Sequence, residues 1–276
     1  MFNEGGHIIH LFPYLCVYLC DMKKLYPAIL IFVFGLIAFP VNAQKDVESE
    51  RLSVPMFSAA YAYQFPGGDM AERYGSNSVL GGDFKLKLKS GWILGADYSY
   101  IFGQNIKNRD QILKGIRNSD GEIIDGTGGY AAWQMFERGF YTTVKVGKVF
   151  PALGHNPNSG PFFTLGFGYM QHKIRFDVEN NTAPQLKGDY ARGYDRLSGG
   201  FAAKQFIGYL YMGNTRVINF YAGIEIVEGW TKALREFNFD EMKYTGDKTR
   251  FDLLIGIRVG WFIPIHGRAP EEYYYN

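Results

Sequence analysis

Three side chains in this sequence are of the types an acid–base mechanism needs: His172, Ser99 and Glu225. An imidazole can carry a proton from a hydroxyl nucleophile to a leaving group, and a carboxylate can orient the ring. Nothing in their spacing ties the three together, and a group acting on lipid should face outward, whereas His172 alternates inward. The favoured reading is a packed, hydrogen-bonded interior histidine. His155 and His266 stand in segments expected on the periplasmic side, without companion ligands, so no metal site is expected of them. A calcium loop can be drawn through Asp120, Glu122 and Asp125. Its spacing matches no standard loop, and turn chemistry explains the same residues. No catalytic residue, cofactor or metal is therefore expected.

The elements that must position these residues are strands. In Thr249 to Ile265, TRFDLLIGIRVGWFIPI, the residues Phe251, Leu253, Ile255, Ile257, Val259, Trp261 and Ile263 form one face at period two. Asp252, Leu254, Gly256, Arg258, Gly260 and Phe262 form the other. At about 3.3 Å per residue the apolar face runs roughly 40 Å. Tilted by about 40°, it covers a height of roughly 30 Å, that of a bilayer core. This is the expected closing strand of a transmembrane β-barrel.

Seven earlier segments alternate in the same way: Met56–Phe65, Val79–Lys89, Trp92–Phe102, Phe140–Val149, Phe162–Ile174, Gly200–Met212 and Ile218–Val227. The sixth is the least clear, because Lys204 and Gln205 fall on opposite faces. The connections alternate in length: 66–78, a tight turn at 89–91, a long loop 105–136, a medium one 150–161, a long one 177–198, a turn 213–215 and a long loop 229–248. Eight strands joined this way predict an antiparallel up-and-down barrel, with long loops outside and both chain ends in the periplasm. Trp92 and Trp261 then fall at the periplasmic strand ends, and Trp133 and Trp230 near the outer ends, as two aromatic girdles. Within the loop after the third strand, Gln111 to Asp125 is expected to form a hairpin extending the third and fourth strands around Asp120-Gly121.

Alternation alone does not say which face points inward. The polar face carries Lys85, Asp97, Lys145, Glu225, Asp252 and Arg258, with many glycines. Facing lipid, each mid-membrane Lys or Arg would cost roughly 2–4 kcal/mol. In the crowded interior of an eight-stranded barrel, small residues fit and opposite charges can pair. These six are therefore expected to form a salt-bridged lumen network and not to line a wide channel. Lys85 is expected near Asp97, and Glu225 and Arg258 lie mid-strand on neighbouring strands.

Composition agrees with this. Twenty Tyr, 23 Phe and 34 Gly in 276 residues suit strands, turns and interfacial belts, while a formal charge of +2 is too small to argue for nucleic acid or for an acidic partner, and no nucleic-acid partner is expected. Met22-Lys23-Lys24 precedes the apolar run LYPAILIFVFGLIAFPVNA, and Val41-Asn42-Ala43 reads as a signal-peptide cleavage site. Residues 1–43 are expected to form the leader, with the signal starting at about 22 and residues 1–21 reflecting too early a start. The mature chain, 44–276, would lack Cys16 and Cys20 and hence any thiol chemistry.

Two long loops hold mixed charge and aromatics: Tyr190, Arg192, Tyr194 and Arg196 in one, Arg235 to Tyr244 in the other. Tyr and Arg dominate interface energetics, so these are candidate partner contacts, set against simple solvated loops. The tail 266–276 is too short for a peptidoglycan-binding domain and could dock a periplasmic partner.

The alternating strands, the -NAQ cleavage site, the closing IGIRVGWFIPI and the Tyr-rich tail make the chain resemble the small OmpA/OmpX-like outer-membrane barrels, of the Bacteroidota type in particular. About eleven residues follow Ile265, where the family's closing strand ends on a terminal aromatic. The resemblance implies a non-enzymatic integral protein of the outer membrane. It would contact lipid and act as a structural or accessory protein that binds other outer-membrane or secretion-complex proteins. A lipid-modifying enzyme and a narrow-pore transporter are the alternatives.

Overall fold

β10 (Arg250–Pro264) closes the structure by pairing on both edges. Antiparallel to β1 (Val54–Gly68), it runs from Met56 opposite Pro264 to Gly68 opposite Asp252; on its other edge it pairs with β7 (Asn219–Ala233), where Gly256 faces Glu225. A sheet closed on itself leaves no unpaired backbone edge, the condition a strand protein must meet in lipid. The computed structural model describes residues 50–179, 183–213 and 217–265. The leader, the tail 266–276, and Asn214 and Thr215 of the expected turn lie outside the described residues.

The other barrel strands are β2 (Asn77–Lys87), β3 (Trp92–Gly103), β4 (Trp133–Val149), β5 (Gly160–Val178) and β6 (Ser198–Met212). A two-stranded ribbon, β8 (Phe237–Asn238) with β9 (Lys243–Tyr244), sits in the last loop. The barrel order is β1-β10-β7-β6-β5-β4-β3-β2, so each strand neighbours the next along the chain. This is the antiparallel eight-stranded up-and-down barrel that the alternation and the resemblance imply. At Lys89-Ser90-Gly91 the tight connection forms a three-residue hairpin loop. The Gly91 N–H donates to the Leu88 carbonyl at 2.9 Å, and Gly91 has φ 86°, a conformation that glycine adopts without a steric penalty.

The strand faces follow the parity read from the sequence. Phe57, Leu80, Val144, Ile207, Ile224 and Ile257 are exposed on the outer wall, while Met56, Asp83, Lys145, Glu225 and Arg258 are buried inside. An outer wall of aliphatic and aromatic residues around a closed polar-cored barrel suits hydrocarbon as its solvent. Lys204 of β6 points inward and is buried, which resolves the parity of the sixth strand.

β4 begins seven residues earlier than expected, and β5 continues to Val178. At about 3.3 Å per residue, the 19 residues of β5 run roughly 60 Å, so its loop-side end stands clear of a bilayer core. The hairpin expected at Gln111–Asp125 does not extend β3 and β4. Its first arm is a helical turn, Arg109–Ile112, and a 3-10 turn, Lys114–Ile116; the tight turn lies at Asn118–Glu122. Ile112, Leu113 and Ile123 are buried with Tyr74, Ile101 and Met135 in an apolar cluster over the loop-side mouth. An extended hairpin would have left those side chains in water, and folding them onto the mouth removes that apolar area from solvent.

A second apolar cluster fills the opposite end: Leu52, Val54, Met56, Ile93, Phe162, Leu210 and Phe262 among others. The charged residues lie between the two.

Candidate functional site

In the middle of the lumen, seven charged side chains from six strands meet. Asp83 and Lys85 stand on β2 and pair at 2.8 Å. Lys145 of β4 reaches Asp83 at 3.5 Å and Asp97 of β3 at 3.8 Å. Lys204 bridges Asp97 and Glu225 at 2.8 Å each, and Arg258 meets Glu225 at 3.0 Å. Neutral groups satisfy the remaining carboxylate lone pairs. Thr143 donates to Asp97 at 2.5 Å and Tyr221 to Asp83 at 2.9 Å; Tyr141 and Gln64 donate to Glu225 at 2.8 and 2.7 Å. Such pairing is what makes buried charge tolerable, since an unpaired ion in a dry interior costs several kcal/mol.

Two expectations change here. Lys85 takes Asp83 and not Asp97 as its carboxylate, because the β2–β3 register sets Asp83 opposite Asp97 and Lys85 opposite Gly95. Asp97 is claimed from across the lumen by Lys204. Asp252 does not join the network. It stands six residues from Arg258 along β10, about 20 Å at strand rise, in a separate group under the loops. Sequence reasoning left Asp83 and Lys204 out of the network. Asp83 was already on the polar face; Lys204 was obscured by apolar residues on both sides of its strand.

The lumen is filled. The cavity bounded by Lys85, Lys145, Lys204, Tyr221 and Arg258 holds about 10 Å³, room for about one water. Glycines make this filling possible. At Gly260 an added Cβ would stand 2.3 Å from the Tyr221 ring, and at Gly223 it would stand 2.5 Å from Gly208 Cα.

His172 lies in the second group. Its Nε2 is 2.9 Å from Asp252 Oδ2 and its Nδ1 is 3.4 Å from the Tyr74 hydroxyl, while Thr231 donates to Asp252 at 2.5 Å. The order hydroxyl, imidazole, carboxylate resembles that of a hydrolase triad. All four side chains are buried, however, and Tyr74 belongs to the apolar cluster that covers the mouth. Ser99 and Glu225 are not brought to His172: Arg258 donates to both, to Ser99 at 3.3 Å. The acid–base set drawn from the sequence is thus split between two groups.

On the outer wall Trp92 and Trp261 lie toward the short-turn end; the Trp261 indole donates to the Val217 carbonyl at 2.6 Å. Trp230 lies on the same wall toward the long-loop end, packed on Phe201 and Phe251. Trp133 does not join it: it shares the inward face of β4 with Met135 and Glu137 and packs on the apolar cluster over the mouth, so the outer girdle expected of the pair keeps Trp230 and not Trp133.

The loop residues divide. Tyr190 and Tyr244 are 66% and 81% exposed, and Arg192 pairs with Asp189 at the surface. Tyr194 is buried against Phe239, Arg196 binds Asp240, and Arg235 donates to Asp195 at 3.0 Å. These three therefore tie the loop around the helix Gly188–Tyr194 to the loop holding β8 and β9, and are not free for a partner. The carboxylate of Asp125 accepts from the Thr127 hydroxyl and amide and from the Gly129 amide at 2.7–2.9 Å. Those bonds, the Thr127 side chain first, hold its carboxyl below the usual carboxylate range. Asp120 and Glu122 are exposed nearby, and among the described residues no three His, Cys, Asp or Glu side chains gather as metal ligands.

No protein-family model matches the sequence. No curated protein matches it. Among solved structures the chain is similar to Neisserial surface protein A, 11% identical, with 75% of this chain and 96% of that one covered and a TM-score of 0.40. It is also similar to Ail, the attachment invasion locus protein of Yersinia pestis, at 9% identity, 77% and 100% coverage and a TM-score of 0.38. The outer membrane protein OprG of Pseudomonas aeruginosa is 13% identical, with 79% and 99% covered and a TM-score of 0.37.

Proposed function

We propose that this chain is a non-enzymatic integral barrel of the outer membrane, acting as a structural or accessory protein that binds other envelope proteins through its long loops. In this reading residues 1–43 are an export leader, the long loops lie outside the cell, and both ends of the mature chain lie in the periplasm. The binding surface is the exposed rim of Tyr190, Arg192 and Tyr244, together with the tail. A secretion or outer-membrane assembly complex is the kind of assembly it would serve.

The observation that carries this reading is the division between a filled lumen and an ordered loop cap. A lumen packed with paired charges leaves no path for solute, and His172 is sealed from substrate. What the barrel offers its surroundings is the apolar wall and the loop surface.

The test is extraction in mild detergent followed by native sizing, on the wild type and on the double variant Tyr190→Ser, Tyr244→Ser. A stoichiometric companion that the variant loses, while its barrel remains folded, supports the reading. A wild-type barrel of monomer size removes it. Cysteine labelling of Ser119→Cys in whole cells checks separately that the loops face outward.

A further inference from the structure

The outer wall carries one concentrated charge at its loop-side rim. Arg138 on β4 and Lys173 on β5 are direct cross-strand partners on the lipid-facing side, and Arg175 follows two residues above Lys173. Lys173 and Arg175 are exposed. None of the three has an ion pair among the described residues. Arg138 donates to the neighbouring Glu137 carbonyl at 2.7 Å and lies over the Phe136 ring. Asp177, the carboxylate on the same face of β5, lies further toward the loops opposite Gln134.

Like charges directly opposite on a sheet destabilise the pair. Here the two cations and Arg175 flank a groove of about 450 Å³ lined also by Tyr100, Phe140 and Gln171. Immediately below, Tyr98, Phe140 and Tyr169 make a continuous aromatic surface, with ring centroids 5.7 and 6.1 Å apart. Below the cations the wall wants acyl chains; at the cations it wants an anion. Adjacent residues on one strand face are about 6.6 Å apart and cross-strand partners about 5 Å, so one phosphate can engage all three cations. Arg adds bidentate hydrogen bonding that fits phosphate oxygens.

We infer that Arg138, Lys173 and Arg175 form a binding site for the phosphate of a glycolipid of the outer leaflet, whose acyl chains lie along Tyr98, Phe140 and Tyr169. A soluble phosphate would use the cations and leave the aromatic wall uncovered. The site rests on the reading that the loop side faces outward, which the cell-surface labelling tests independently of any lipid measurement.

The experiment uses the full exported chain in a phosphate-free sugar detergent. It is mixed with a bisphosphorylated acylated glucosamine disaccharide, or with the same lipid dephosphorylated, and retained lipid is read by native mass spectrometry. The wild type should retain the phosphorylated form about tenfold better. The triple variant Arg138→Gln, Lys173→Gln, Arg175→Gln should lose that preference while still migrating as a folded barrel. Lys148→Gln, which removes a cation beside Trp92 at the opposite rim, should keep it. Equal retention of both lipids, or equal loss in the Lys148 variant, overturns the site. Displacement of the lipid by millimolar inorganic phosphate alone would make it a site for free phosphate and overturn the lipid assignment.

Discussion

Glu225 and Arg258 meet at 3.0 Å in the centre of the barrel, both shielded from solvent, from neighbouring strands 33 residues apart in the chain. Glu225 is also held by Lys204, Tyr141 and Gln64, so the carboxylate is the hub of the network. Removing a partner from a buried pair leaves charge uncompensated.

Arg258→Met should therefore destabilise the barrel by about 3 kcal/mol, since Lys204 remains as a second cation for Glu225. In that background Glu225→Gln should cost less than it does in the wild type, because one of the two cations that hold Glu225 is already gone. Urea unfolding in lipid vesicles measures both, and strictly additive losses would contradict the coupling.

Gly260→Ala should cost about 1–3 kcal/mol, because the new methyl displaces the Tyr221 ring and with it the bond from Tyr221 to Asp83. Gly82→Ala is the control, where an added Cβ meets nothing closer than 3.5 Å. Comparable losses in the two variants would show that the tight packing at Gly260 is not the cause.

Planar-bilayer recording of the wild type should show no steady ohmic conductance. The lumen cavity of about 10 Å³ holds no more than about one water. A stable open level in the wild type would mean that the ion-paired plug gives way.

His172→Ala leaves Asp252 and the Tyr74 hydroxyl each without one partner, at a cost of about 1–3 kcal/mol. The loops over the mouth should become easier for protease to cut. If the wild type modified lipid and this variant abolished the reaction, the non-enzymatic reading would fail.

The Asp125 turn should titrate. A carboxyl held below its usual range contributes stability above the unfolded value, and that stability is lost as pH falls through the folded value. The amide shifts of Thr127 and Gly129 should follow a midpoint below 3.8, the usual value. Asp125→Asn should flatten that response.

The strands, their number, their order and the inward face could all be read from the sequence because a strand repeats every two residues. A period-two pattern such as Phe251 to Ile263 separates the two faces, the cost of a lipid-facing charge such as Arg258 decides which of them points inward, and alternating connection lengths fix the up-and-down order. The charged types of the lumen were legible for the same reason. Their partners were not. Lys85 chose Asp83, and Asp97 took Lys204 from across the barrel, because register and closure decide which side chains meet, and both are long-range properties. The same holds where the chain leaves the sheet. Ile112, Leu113 and Ile123 looked like hairpin arms but were drawn down to seal the mouth, and Tyr194, Arg196 and Arg235 were spent on contacts between loops. A loop has no period to announce its partner. Burial of its apolar residues against a surface that exists only after the barrel closes decided where each of them went.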